Sequence, residues 1–213
     1  MKTLKKISIV FILFLSASAS IWLSPLRAEA STEIEQPVAL LERTSTQVIK
    51  ILRDDRELLK KEPERVYKII DEYILPHLDQ VTMAKLALGK NWKKATNEQK
   101  REFVGAFRDL LIRTYSKSLL EFKDQEIRYF PANLADGDNR TSVKAEVIQP
   151  GGPSIPIAYR MRVKDNAWKV YDIKIDGISL VTSYRGTFTQ EIRKSGMDGL
   201  LEYMRDKNIK VST

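Results

Sequence analysis

The chain has 213 residues, 43% hydrophobic and 30% charged, with a formal net charge of +8. That length and apolar share suit one domain with a real core and exclude disordered, collagenous and disulfide-framed proteins. The absence of Cys removes thiol nucleophiles, thiolate metal sites and cysteine-borne lipid anchors, and the single histidine, His77, removes multi-histidine metal sites.

Residues 1–30 read as an export signal. Lys2, Lys5 and Lys6 form a basic start and Ile7 to Leu15 is an almost unbroken apolar run. Small residues follow at Ser16 to Ser20, and Ala28-Glu29-Ala30 supplies the small-x-small pattern that signal peptidase cuts. The alternative is an uncleaved anchor, but Ile7 to Leu23 is diluted by Ser, and a spanning helix wants about 20 apolar residues. Cleavage is expected after Ala30, leaving residues 31–213 as a single soluble domain. It removes four basic residues (Lys2, Lys5, Lys6, Arg27) and one acidic residue (Glu29). The net charge falls to +5, and little argument for nucleic-acid binding from charge remains.

The mature chain begins with helical periodicity. Pro37 suits a first helical position, with Val38, Leu41, Val48 and Leu52 on one face of a helix running to about Lys61. A second helix is predicted from Pro63 to Pro76, with Val66, Ile69, Ile70, Tyr73 and Ile74 inward. Asp79 is placed to cap a third helix ending at Gly89. Thr96 and Gln99 form a capping-box signature for a long helix bearing Phe103, Phe107, Leu110, Leu111, Tyr115, Leu119 and Phe122.

The period then falls to two. Ile127 and Tyr129 alternate, Asp136 to Asn139 form a turn, and Val143, Ala145 and Val147 alternate again. Pro150-Gly151-Gly152-Pro153 is the next turn. Ile155, Ile157, Tyr159, Met161 and Val163 then face one way and Arg160 and Arg162 the other. Asp165-Asn166 leads into Trp168 to Ile175, which is apolar on both faces. This predicts a four-stranded antiparallel sheet. After Asp176-Gly177 helical spacing returns through Val181, Tyr184, Phe188 and Ile192 to Gly196, followed by a short helix with Leu200, Leu201 and Met204. Helices precede and follow the strands with no βαβ alternation, so the fold class is α+β.

Catalytic patterns are missing. His77 follows Pro76 with no serine placed beside it, and reads as a loop or packing residue. The carboxylate pairs Asp54-Asp55 and Asp71-Glu72 point different ways on their helices. Asp136 and Asp138 suggest a calcium loop, but Val147 stands at its twelfth position, where Glu is needed. Gly151-Gly152 opens no helix and so makes no phosphate cradle. Lys93-Lys94 and Arg160 with Arg162 are basic clusters without interleaved aromatics, unlike nucleic-acid-reading surfaces. No enzyme, metal or cofactor is expected. Apolar residues, by contrast, are in excess on two helices and one sheet face. Periodicity is compatible both with a filled core and with a hollow left for an apolar ligand.

Three stretches together carry a family resemblance. The first runs from Ile74-Leu75-Pro76-His77-Leu78-Asp79 through Ala87-Leu88-Gly89-Lys90-Asn91-Trp92-Lys93-Lys94-Ala95-Thr96 to Gln99-Lys100, Phe103 and Phe107. The second is Trp168-Lys169-Val170-Tyr171-Asp172-Ile173 with Asp176-Gly177-Ile178-Ser179-Leu180. The third is Tyr184-Arg185, Phe188 and Gly196-Met197-Asp198-Gly199-Leu200-Leu201. In order and spacing, over roughly residues 35 to 207, the chain resembles the MlaC family, the toluene-tolerance or ABC-transporter auxiliary proteins.

The resemblance implies a periplasmic phospholipid carrier whose acyl-chain cavity lies between sheet and helices. It implies exchange with an inner-membrane ABC transporter bearing an MCE-domain ring and with an outer-membrane lipoprotein–porin complex, in support of outer-membrane lipid asymmetry. Two acyl chains with roughly 30 methylenes at ~0.8 kcal/mol each resist crossing water unaided, so such a carrier hides its cargo and leaves the head group wet. The family has no strict catalytic or head-group motif, so roles are not transferred residue by residue. From the inward rows, the expected cavity wall is Ile70, Tyr73, Phe107, Leu110, Leu111, Val143, Val147, Tyr159, Met161 and Val170. Tyr184 and Arg185 are expected near the mouth as head-group contacts. The expected state is a monomer with no nucleic-acid partner. The remaining alternatives are a relative serving another lipid, such as a hopanoid precursor, and a structural or interaction module of the envelope with a filled core.

Overall fold

In the computed structural model, residues 34–122, 125–149 and 151–210 are described; the predicted export segment and Pro150 of the predicted turn lie outside them. Helix α1 (Pro37–Asp54) starts on its proline, whose missing N–H is not needed in a first turn, and buries Leu40, Leu41, Val48 and Leu52. The short helices α2 (Arg56–Lys61) and α3 (Arg65–Ile69) follow.

The helix expected between Pro63 and Pro76 does not stay α-helical. After Ile69 it widens into a π-helical turn, Ile70–Ile74, and then tightens into a 3-10 turn, Leu75–His77. Pro76, with no N–H to extend an α-helical ladder, sits where the ladder gives out. Leu78 makes a single parallel bridge to Val170. Helix α4 (Gln80–Leu88) is capped by Asp79, which accepts a hydrogen bond from the Thr82 amide, and it ends at Gly89, with φ 55° and ψ −123°. After a 3-10 turn, Gly89–Lys93, the predicted capping box opens α5 (Asn97–Leu120). The Gln99 amide donates to Thr96 Oγ1 at 3.1 Å, and the Thr96 amide donates to Gln99 Oε1 at 2.9 Å.

Among the described residues the sheet has five strands rather than four. They run β1 (Glu126–Tyr129), β2 (Arg140–Ile148), β3 (Ile155–Lys164), β4 (Ala167–Ile175) and β5 (Ile178–Ser179), each antiparallel to the next. The fifth strand is two residues long, too short to show a period. It is made by a tight turn in which Asp176 and Gly177 have φ of 50° and 77°, the left-handed pair that two-residue hairpins need. Asp165 and Asn166 form the same kind of turn between β3 and β4. Helix α6 (Arg185–Lys210) is broken where the sequence indicates: Gly196, with φ 73° and ψ −174°, interrupts it.

A bulge explains why β4 is apolar on both sides. Arg160 pairs with Asp172 but Met161 pairs with Val170, so Tyr171 is an extra residue in β4. Cross-strand partners share a face. Ile173 and Ile175 therefore join Ile157 and Tyr159, while past the bulge Val170 and Trp168 join Met161 and Val163. The apolar face continues unbroken although its positions on β4 change parity. Tyr171 is turned to the other face, where the Arg160 guanidinium lies 4.9 Å from its ring centre.

Among the described residues, three apolar clusters hold the fold together. Helices α4, α5 and α6 enclose the first, around Phe103, Phe107, Phe188 and Met204. The second joins Leu40 and Leu41 of α1 to Val143, Met161, Trp168 and Val170 of the sheet. The third binds α1, α2, α3 and the π-helical turn through Val48, Leu59, Val66 and Ile70. Among the described residues, no helix is long and apolar enough to cross a membrane.

Candidate functional site

The second cluster covers only one end of the sheet's apolar face. At the other end Ile157 and Tyr159 of β3 and Ile173 and Ile175 of β4 border a cavity of about 410 Å³, within the range of roughly 300–1,000 Å³ usual for small-molecule sites. Opposite them stand Ile70 and Ile74 of the π-helical turn, and Phe107, Leu111, Ile112, Tyr115 and Leu119 of α5. Leu75, Leu78, Met83, Val104, Leu180 and Val181 complete the apolar lining. The widened turn has a role here: π-helical turns shift side chains relative to an α-helix and recur at functional sites, and this one puts Ile70 and Ile74 on one wall, with Leu75 of the 3-10 turn beside them.

The polar groups on this wall are few. Arg108 is its only charged residue among those described, and its Nε donates to Asp109 Oδ1 at 2.8 Å. Gln80, Ser116, Ser118 and the phenols of Tyr115 and Tyr159 are the remainder. Burial, followed by the neighbouring Tyr184 phenol, pushes Tyr115 up to about 12. Burial, followed by Tyr129, raises Tyr159 further. Both therefore remain neutral hydrogen-bonding groups at physiological pH. An apolar chamber with neutral phenols and one paired arginine suits a long apolar molecule with a polar end.

Of the residues expected on the cavity wall, the structure brings Ile70, Phe107, Leu111 and Tyr159 together there. Val143, Met161 and Val170 share the sheet face but lie beneath α1. Leu110 packs toward α4 and α6, and Tyr73 against the third cluster. Val147 lies on β2 between Ile127 and Ile155. Tyr184 stacks on Phe188 at 5.5 Å and meets Phe107 edge-on at 5.6 Å, one ring removed from the wall. Arg185 donates from Nε to the Leu86 carbonyl at 3.0 Å and borders a different groove. Sequence reasoning missed Ile112, Tyr115 and Leu119 on α5, although Phe107, Leu111, Tyr115 and Leu119 step by four along one stripe. It also missed Ile173 and Ile175, whose side the bulge decides.

The profile of the family described as MlaC protein matches residues 42–206. The chain belongs to the MlaC family. Among its MlaC relatives is the toluene tolerance protein ttg2D of Pseudomonas putida, 27% identical over 165 residues, which cover 77% of this chain and 76% of that protein. A second is the intermembrane phospholipid transport system binding protein MlaC of Haemophilus influenzae, 22% identical over 172 residues, with 79% and 80% covered. Among solved structures, a phospholipid-binding protein from Ralstonia solanacearum in complex with a phospholipid is similar with a TM-score of 0.76. It is 29% identical, with 83% of this chain and 98% of that one covered.

Proposed function

We propose that this MlaC-family protein is a periplasmic phospholipid carrier, a binding protein and not an enzyme. The observation that carries the reading is the cavity: a predominantly apolar chamber between sheet and α5, in a chain similar to a protein that holds a phospholipid. The acyl chains occupy the stripe from Phe107 to Leu119 and the isoleucines of β3 and β4. The head group stays in water outside the apolar chamber. The hydrophobic gain of hiding each methylene is about 0.8 kcal/mol, so the lipid is held without covalent chemistry or cofactor.

Residues 1–30 direct export and are removed after Ala30. In the periplasm the carrier exchanges lipid with an inner-membrane ABC transporter bearing an MCE-domain ring and with an outer-membrane lipoprotein–porin complex, which maintains outer-membrane asymmetry. The names of the relatives, one from an intermembrane phospholipid transport system, support this placement.

The test is mass spectrometry of an organic extract of the mature protein purified from periplasm. A glycerophospholipid in the extract is expected, with the intact chain starting at Ser31. A hopanoid-type lipid in its place would move the protein to another cargo. A lipid-free extract, unchanged after incubation with phospholipid vesicles, overturns the carrier reading.

A further inference from the structure

A second groove, of about 990 Å³, lies across the sheet from the cavity. Tyr159 faces the cavity, and its neighbour Arg160 faces the groove. Arg160 and Arg162 of β3 line the groove together with the end of α4, the 3-10 turn after it and the first turns of α6. The two basic clusters noted separately in the sequence, at Lys93-Lys94 and at Arg160 with Arg162, thus meet in one concavity. Nine Lys and Arg residues line it, and no Asp or Glu does among the described residues.

The cations fall into two sets. Three are braced. Arg160 lies 3.6 Å from Asp172, and Arg162 lies 3.5 Å from Asp79 while donating to Thr82 Oγ1 at 3.3 Å. Arg185 is held on the Leu86 carbonyl beside Gly89, where a Cβ would come within 3.1 Å of its Nε. The other six, Lys85, Lys90, Lys93, Lys94, Arg140 and Arg193, make no ion pair among the described residues. Like charges gathered in one concavity repel, and their field concentrates anions there.

We infer that this groove docks an acidic segment of a protein partner. Its shape favours a polypeptide over an anionic bilayer. Its cations are carried by the sheet, the end of α4, the 3-10 turn and α6 around one concavity, a surface that a polypeptide can follow and a flat head-group plane cannot. Leu86, Tyr171 and Ile192 intersperse apolar surface among the charges, which suits alternating acidic and apolar side chains. The docking surface does not depend on what fills the cavity.

The test uses the mature protein and a fluorescent amphipathic peptide of Glu, Asp and Leu, with phosphatidylglycerol vesicles as a parallel probe. Peptide binding is expected to weaken steeply as salt rises from about 0.1 M to 1 M and the screening length shrinks from about 10 Å to about 3 Å. A Lys90→Glu/Lys93→Glu variant is expected to bind roughly tenfold more weakly, about 1.4 kcal/mol. A Lys61→Glu/Lys68→Glu variant, with the same net charge but altered outside the groove, is expected to bind as wild type. Equal loss in both variants, salt-independent binding, no binding of the peptide, or vesicle binding in preference to peptide that the groove variant abolishes would each overturn the inference. Lipid extracted from each variant is measured alongside. A groove variant that still carries lipid separates failure here from failure of the carrier reading.

Discussion

Asp79 shows how one side chain ties sequence signals to distant parts of the fold. It is only 2% exposed, and burial by itself raises a carboxyl pKa. Hydrogen bonds from Thr82 and Lys164 outweigh that penalty and hold Asp79 below its ordinary 3.8. The Thr82 hydroxyl donates at 2.6 Å and Lys164 Nζ at 3.0 Å, so the helix cap is also the anchor of α4 on β3. A folded-state pKa lowered in this way contributes stability that is fully present above the unfolded value and is lost as pH falls through the folded one. Asp79→Asn is therefore expected to cost about 1–2 kcal/mol at neutral pH. The gap to wild type should close as pH drops below 3.8. Urea unfolding at pH 7 and in steps below pH 4 checks this, and a gap that does not change with pH would show that the charge is not its source. The cap was legible in the sequence because Asp79 precedes a helical run. The Lys164 contact was not, because it joins residues 85 apart.

At the scale of elements, the sheet's apolar face is divided along its strands: α1 covers one end and the cavity occupies the other. Substitutions on the same face should therefore behave differently. Leu111→Trp, directed into the cavity, is expected to lower the lipid recovered per chain with little loss of melting temperature. Met161→Trp, at a position with no exposed area beneath α1, is expected to overpack and cost about 1–3 kcal/mol while the folded fraction keeps its lipid. Lipid mass per chain and thermal unfolding of both variants decide it, and equal lipid loss in the two would mean that the division does not hold. This division is also why the site was only partly legible. Helical and strand periods identify which face is apolar, so α5, the long strands and the break at Gly196 could be read directly. They do not say which length of that face meets another element, so Val143, Met161 and Val170 were grouped with Tyr159. The π-helical turn at Ile70–Ile74 and the bulge at Tyr171 each change a period within a few residues, too briefly to leave a pattern.

For the whole molecule, a ligand held only by the folded state must stabilise it, by about 2.7 kcal/mol when free ligand stands at 100 times its Kd. Protein stripped of lipid in organic solvent and refolded is expected to melt lower than protein as purified. Adding phospholipid should restore the difference in wild type, and less of it in Leu111→Trp. Identical melting curves with and without lipid would argue against an internal site. The backbone of β3 separates the two working surfaces, since Tyr159 and Arg160 are consecutive and open into different spaces. Any coupling between the two surfaces is reciprocal. To whatever extent an outside contact at Arg160 disfavours an occupied chamber, an occupied chamber disfavours that contact by the same factor. Where that factor differs from one, full and empty molecules are gripped with different strength, and the single strand between the surfaces is the shortest link from a partner to the cargo behind it.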